Sequence, residues 1–215
     1  MRDDNFQGKH SLSTSNRQDP ALFVDKYEKA GIIGNFLIKR FYASARRLFE
    51  SQIKSSGIVL EVGCGPGYST LNIRNWKNVD ELIATDTDSG LLNLARELNP
   101  DINFNTQSIY DLDYPDKSFD AIVMLEVLEH LENPGKALNE LNRVCRGIAL
   151  LSTPREPLWR MLNLARGKYI GDLGNTPGHI QHWSSRGLRK EVSSRFEVIS
   201  CAKPIPWTIL LLKPN

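Results

Sequence analysis

The sequence predicts an α/β fold: a seven-stranded, mostly parallel sheet with helices on both faces and an antiparallel last strand. Three observations carry that prediction. From Ile58 onward, short apolar runs alternate with helix-length segments, the pattern of a strand, a crossover and a further parallel strand. The first run ends in a glycine cluster, Gly63-Cys64-Gly65-Pro66-Gly67, which leads straight into a helical segment. The last two runs follow each other too closely for a helical crossover, so they pair antiparallel.

Residues 1–19 are polar and lack apolar periodicity, and the expectation for them is a mobile tail. Over residues 20–55, Leu22, Phe23, Tyr27, Phe36, Leu37, Phe41, Leu48 and Phe49 recur near helical spacing, with breaks at Gly31 and Gly34. Two N-terminal helices, forming a lid, should therefore precede the α/β domain of residues 56–215. The predicted strands are Ile58 to Val62, Glu81 to Thr85, Ile102 to Asn105, Ala121 to Leu125, Ile148 to Ser152, Phe196 to Cys201 and Trp207 to Leu212. Helices are expected over Ser69 to Trp76, Ser89 to Leu98 and Gly135 to Cys145, the last with Asn133 as N-cap and Pro134 in its first turn. Two more are expected near Pro157 to Arg166 and Ser185 to Ser193.

Bulk composition narrows the class. At 215 residues the chain holds one domain with a full core, and not two ordinary domains with a linker. A hydrophobic share of 40% and a charged share of 24% are those of a soluble globular protein. A net charge of +2 does not by itself call for a polyanionic partner. No apolar run approaches the roughly 20 residues of a membrane span, and the N-terminus lacks the apolar stretch of a signal peptide. Cys64, Cys145 and Cys201 are too scattered for a zinc or redox motif, which fits a reduced, cytoplasmic setting.

The glycine cluster is the most informative motif. Glycines let a backbone turn tightly and approach a ligand closely, with amide N–H groups facing the cavity. The spacing here is Gly-x-Gly-x-Gly, whereas the dinucleotide fingerprint is Gly-x-Gly-x-x-Gly, so a nucleoside is favoured over NAD. Asp86 ends the second strand roughly 20 residues beyond the glycines, where a carboxylate accepts hydrogen bonds from ribose hydroxyls. Its alternative role, capping the next helix, suits Asp88 or Ser89 better.

Together, Glu61 to Tyr68, Ala84 to Asp86 and Ser108 to Leu131 resemble the class I S-adenosylmethionine-dependent methyltransferases related to the ubiquinone and menaquinone biosynthesis enzymes. The resemblance implies a Rossmann-like fold with S-adenosylmethionine as cofactor. It implies that Glu61 holds the methionine end, that Gly63, Cys64, Gly65 and Gly67 pass beneath it, and that Asp86 binds the ribose. Thr87, Ser108, Ile109 and Leu125 would complete the pocket, although relatives often carry an acidic residue where Ser108 stands.

Past the fourth strand, Glu126, Glu129 and His130 stand at i, i+3 and i+4, which places them on one face of a helical turn. Two carboxylates so close call for a cation. A later stretch, Gly178-His179-Ile180-Gln181-His182-Trp183, offers further ligands. The turn followed by a His near a Trp resembles the metal-dependent small-RNA 2′-O-methyltransferases, and the turn alone recurs in ubiquinone-pathway O-methyltransferases. In the RNA enzymes the later ligand lies four residues before the Trp, which corresponds to His179. The candidate metal set is therefore Glu126, Glu129, His130 and His179, suited to Mn²⁺, Fe²⁺, Co²⁺ or Zn²⁺ better than to Mg²⁺. Without metal, His130, His179 or His182 is a candidate general base. His182 is alternatively a hydrogen-bonded histidine that fixes the loop.

Between these motifs, residues 154–183 form an acceptor-side insertion with an apolar helix face and four cations, Arg155, Arg160, Arg166 and Lys168. It reads as a lid for the acceptor or a surface that rests on a membrane, against the plain alternative of a core-packed amphipathic helix. The leading expectation is O-methylation of a small-molecule, glycan or lipid-linked acceptor. The alternatives are an RNA terminal-ribose 2′-O-methyltransferase, a dinucleotide-dependent oxidoreductase and a cofactor-binding domain without catalysis.

Overall fold

The computed structural model describes residues 31–55 and 57–215. The expected tail and the first N-terminal helix fall outside the described residues. Seven strands form one sheet: β1 (Gly57–Val62), β2 (Val79–Asp86), β3 (Asn103–Thr106), β4 (Phe119–Leu125), β5 (Cys145–Pro154), β6 (Phe196–Ala202) and β7 (Trp207–Pro214). Their order is β3-β2-β1-β4-β5-β7-β6. Parallel pairs run from β3 through β5, and β7 is antiparallel to both β5 and β6. The predicted antiparallel hairpin is thus present, with β7 driven between β5 and β6. The order reverses between β1 and β4, the place where such sheets open a crevice for ligands.

The inner strands are apolar on both faces because helices cover both. Leu60, Ile122, Met124, Ala149, Leu151, Leu210 and Leu212 point to one core, shared with Leu138, Leu141 and Leu188. Their neighbours Val59, Ala121, Val123, Leu150, Ile209 and Leu211 point to the other. This period-2 division is why those runs read as continuously hydrophobic.

On the second face lies α1 (Gly31–Gln52), which buries Phe41, Tyr42, Ala45, Leu48 and Phe49. It passes through Gly34 unbroken, against the expected interruption there. One glycine in a helix interior costs about 1 kcal/mol, less than a single buried aromatic returns.

The helix after the glycines, α2 (Tyr68–Ile73), is shorter than predicted. Asn75 and Trp76 donate to carbonyls three residues back, so the segment tightens out of the α form and turns Trp76 onto Phe49, with ring centroids 5.0 Å apart. Next, α3 (Ser89–Leu98) begins at Asp88, whose side chain accepts from the amides of Gly90 and Leu91. Asp86 is thereby relieved of capping duty. Asn133 caps α4 (Pro134–Val144) through the amide of Lys136, as expected. The insertion carries α5 (Leu158–Ala165) and a 3₁₀ turn over Ile170–Asp172, and α6 (Ser185–Val192) follows it. Among the described residues, no helix is long and apolar enough to cross a membrane.

Candidate functional site

The glycine loop leaves β1 and folds onto the end of β2. Gly63, Gly65 and Gly67 all have positive φ, at 74°, 53° and 87°. A Cβ on Gly63 would sit 2.4 Å from a methyl of Val127, and one on Gly67 would sit 2.8 Å from the Asn99 amide. Two of these glycines are therefore required by the protein's own packing.

The loop amides also differ from expectation. Gly63 and Cys64 donate to the carbonyl of Thr85, and Gly67 donates to that of Cys64. Gly65 donates to Oδ2 of Asp86 at 2.8 Å, and Pro66 has no N–H. Amides expected to face the cavity are satisfied within the protein. A pyrophosphate needs such donors, so this loop suits it poorly.

Two carboxylates flank the loop. Asp86 accepts from Gly65 on one oxygen and from the amide of Asp88, at 3.0 Å, on the other. A carboxylate has about four acceptor positions, which leaves room for two ribose hydroxyls. Glu61 is buried, and Thr70 Oγ1 donates to its Oε2 at 2.6 Å. Burial pushes its pKa up to about 7, opposed by hydrogen bonds from Ser69 and Thr70 and helped by the charge of Asp86. Thr70 escaped the sequence reading, although its place in the first turn after the glycines was a usable signal. Cys64 is buried, and burial raises its thiol far above the ordinary range, which disfavours the reactive thiolate.

The remaining predicted pocket residues lie around this end of the sheet. Thr87 is exposed in the turn after β2, and Leu125 is buried at the end of β4. Ile109 is buried, while the hydroxyl of Ser108 accepts from the amide of Tyr110 at 3.3 Å.

Beyond β4, Glu129, His130 and His179 come together, each offering a ligand atom within 4.8 Å of the others. Glu129 and His179 are buried. The imidazoles meet edge to face, with centroids 4.8 Å apart. Nδ1 of His130 lies 2.8 Å from the carbonyl of Gly178, which can only accept. That nitrogen therefore carries a proton. The carbonyl of Glu129 accepts from the amides of Ile180 and Gln181, which clamps the histidine loop onto the turn. This pairing of distant segments is what the later-histidine resemblance implied.

Glu126 does not join that group. It takes a left-handed φ of 60° ahead of a 3₁₀ turn over Leu128–His130, so the shared helical face expected of it does not form. Its carboxylate instead accepts from Ser152 Oγ at 2.9 Å and from Trp207 Nε1 at 2.7 Å. His182 is likewise apart. Its Nε2 lies 2.8 Å from Asn175 Oδ1 and 3.0 Å from Arg160, and burial together with the Arg160 charge lowers its basicity. The loop-fixing alternative describes this placement.

Trp159 of α5 stacks on His179 at 5.9 Å and 28°, with its indole N–H donating to Thr176. It also lies 5.9 Å from Trp207. Neither tryptophan was identifiable as part of the site, because each is recruited from a segment with no motif of its own.

Residues 60–151 match the family model described as a methyltransferase domain. A demethylmenaquinone methyltransferase of Paenarthrobacter aurescens is 34% identical over 148 residues, covering 66% of this chain and 58% of that protein. A ubiquinone biosynthesis O-methyltransferase of Rickettsia bellii is 33% identical over 133 residues, covering 59% and 53%. This chain spans between 35% and 58% of the length of such curated relatives. In fold, it is similar to the crystal structure of a SAM-dependent methyltransferase from Aquifex aeolicus, with a TM-score of 0.69 over 93% of this chain and 100% of that one, at 16% identity.

Proposed function

We propose that this chain, whose α/β domain is that of the class I S-adenosylmethionine-dependent methyltransferases, transfers the cofactor's methyl group to a hydroxyl oxygen of a small-molecule, glycan or lipid-linked acceptor. One observation carries the cofactor assignment. The loop between β1 and α2 offers carboxylates on either side and no spare amide from Gly63 to Gly67. That electrostatic pattern favours a cationic sulfonium nucleoside with an ammonium group and disfavours a pyrophosphate. Glu61 would hold the ammonium end, and Asp86 would hold the ribose. Both S-adenosylmethionine and the domain's residues therefore fit each other, and the dinucleotide reading loses support.

Methyl transfer from a sulfonium needs chiefly alignment and the exclusion of water. A hydroxyl acceptor needs one thing more, since it is a poor nucleophile near neutral pH. The cluster of Glu129, His130 and His179 lies past the end of β4 on the acceptor side, and its donor set suits Mn²⁺, Fe²⁺, Co²⁺ or Zn²⁺. Bound there, such a metal would lower the pKa of the acceptor hydroxyl. The protein's part is to fix the ligands: Gly178 sets the tautomer of His130, and Trp159 sets the plane of His179. In the absence of metal, His130 and His179 are the candidate bases, while Nε2 of His182 is engaged by Arg160 and Asn175.

The O-methyltransferase activity in the name of the Rickettsia relative supports a small-molecule acceptor over RNA. The test is incubation with methyl-labelled cofactor and a fractionated extract of the source cell, followed by mass spectrometry of what gains the label. A labelled ether or methoxy group is expected. Label confined to nitrogen or carbon would overturn the hydroxyl assignment, and label on the 3′-terminal ribose of RNA would overturn the small-molecule one.

A further inference from the structure

Between β3 and β4, residues 107–118 form neither helix nor strand beyond one isolated bridge of Ser108 with Asp111, so no backbone ladder fixes them. Side chains of α4 do so instead. Leu112 donates its amide to Oε1 of Glu140 at 2.9 Å, and its carbonyl accepts from Nη2 of Arg143 at 2.8 Å. Arg143 in turn donates from Nε and Nη2 to Oε2 and Oε1 of Glu140, at 3.0 and 2.6 Å. Both backbone groups of one residue are thus closed into a ring with a two-pronged ion pair, the strongest form of such a contact. The remaining nitrogen, Nη1, donates to the carbonyl of Tyr114 at 2.7 Å and to Asp116 at 2.8 Å.

Burial decides which of these contacts matters. The Glu140 side chain is only 15% exposed, and the hydrogen bond from Arg143, aided by the Leu112 amide, holds its carboxyl below the usual range against the cost of burial. Asp116 is 75% exposed, so its pairing with Arg143 contributes little.

The clamped segment lies where the base of a nucleoside has to go. With Glu61 on β1 toward the methionine end and Asp86 on β2 at the ribose, the base leaves the far side of the ribose toward β3. There Thr106 is in register with Asp86, and Gln107 donates its amide to the Asp86 carbonyl at 3.1 Å. Ser108 and Ile109 come next, in a turn closed by Asp111 N donating to Ser108 O at 3.0 Å, and Leu112 follows it directly.

We propose that Glu140 and Arg143 are positioning residues for the cofactor's purine: by gripping both backbone groups of Leu112, they hold Ser108 and Ile109 against the edge of the base. The inference rests on the S-adenosylmethionine assignment above and adds to it two residues remote from the reacting atoms. A segment fixed before the ligand arrives spares the cost of ordering it on binding, and a fixed edge collides with a base that carries extra bulk.

Calorimetry of the full chain with S-adenosylhomocysteine, its N6-methyl derivative and its 2′-deoxy derivative tests this. The wild type should bind the N6-methyl derivative roughly tenfold or more weakly than the parent, and the 2′-deoxy derivative weaker by a similar factor through its lost bond to Asp86. Glu140→Ala and Arg143→Lys should each bring the base ratio to within about threefold and leave the ribose ratio as in the wild type. Lysine keeps the charge beside Glu140 but lacks the fork that holds the Leu112 and Tyr114 carbonyls. Glu140→Gln still accepts from the Leu112 amide and should keep most of the base ratio. Should Glu140→Ala not fold, Arg143→Lys decides. A base ratio that persists in these variants overturns the inference, and so does a parallel fall in both ratios, the mark of general loosening. Equal binding of parent and N6-methyl derivative by the wild type overturns it while leaving the cofactor assignment intact, whereas no binding of S-adenosylhomocysteine overturns both.

Discussion

The indole Nε1 of Trp207 donates a 2.7 Å hydrogen bond to Oε2 of Glu126 across 81 positions of sequence. The bond joins the first residue of β7 to the residue just past β4, and Ser152 of β5 holds the other carboxylate oxygen. Trp207 is buried, so removing the carboxylate leaves its N–H unpaired, at a cost of about 1 to 3 kcal/mol. Glu126→Ala should lower the unfolding free energy by that amount in urea. Mn²⁺ affinity should stay within about twofold of wild type, because the side chain lies outside the ligand group. A tenfold loss of metal affinity would make Glu126 a ligand after all.

Asp86→Ala removes the acceptor for the Gly65 amide and the proposed partner of the ribose. Two lost hydrogen bonds to a charged group should weaken cofactor binding by about a hundredfold. Calorimetry with S-adenosylhomocysteine reads this directly, and an unchanged affinity would take Asp86 out of the site.

Glu61 yields a prediction with a sign. Its carboxyl titrates near 7 in the folded protein against an ordinary value of 4.5, so the native state binds the proton more tightly than the unfolded chain does. Cofactor-free stability is therefore highest below pH 4.5 as far as this group is concerned, falls as pH rises toward 7, and is level above. The cost at pH 8 is about 3 kcal/mol, taken from the size of that displacement. Glu61→Gln should thus be more stable than wild type at pH 8, should lose the advantage near pH 5, and should bind cofactor poorly at both. Equal stability at pH 8 would mean that the carboxylate is better solvated than its burial suggests.

The metal cluster is testable without turnover. Co²⁺ titrated into the protein should give visible ligand-field absorption that Glu129→Gln and His179→Ala each abolish, while cofactor affinity holds. Turnover should fall by roughly a hundredfold or more in either variant and in excess chelator, since hydroxyl activation is lost. Full activity in chelator would assign the cluster to proton transfer alone.

Gly63→Ala should destabilise the domain by about 2 to 4 kcal/mol, combining a left-handed φ with collision against Val127. Adding Val127→Ala should recover part of the loss. If the double variant recovers nothing, the constraint at Gly63 is backbone conformation alone.

Much of this molecule is legible along the chain because its signals are local. Strand runs such as Ala121 to Leu125 declare themselves by an unbroken apolar series, and the glycine spacing ahead of α2 separates two classes of nucleotide site. Asn133 and Asp88 announce the starts of α4 and α3 by chemistry that acts within three residues. What misled was also local reasoning. Spacing of i, i+3 and i+4 put Glu126 with Glu129 and His130, and the break at Gly34 was overestimated, since neither consideration includes what the rest of the fold packs against them.

The strand alphabet, the glycine turn and the carboxylate at the end of β2 were settled by sequence, because each depends on hydrogen bonds and sterics among near neighbours. Tertiary structure decided the rest: that β7 enters between β5 and β6, that Trp207 thereby claims Glu126, and that the loop after α5 brings His179 to His130. Those outcomes depend on which distant surfaces bury each other, and a contact made across the sheet leaves no periodicity in the chain from which to read it.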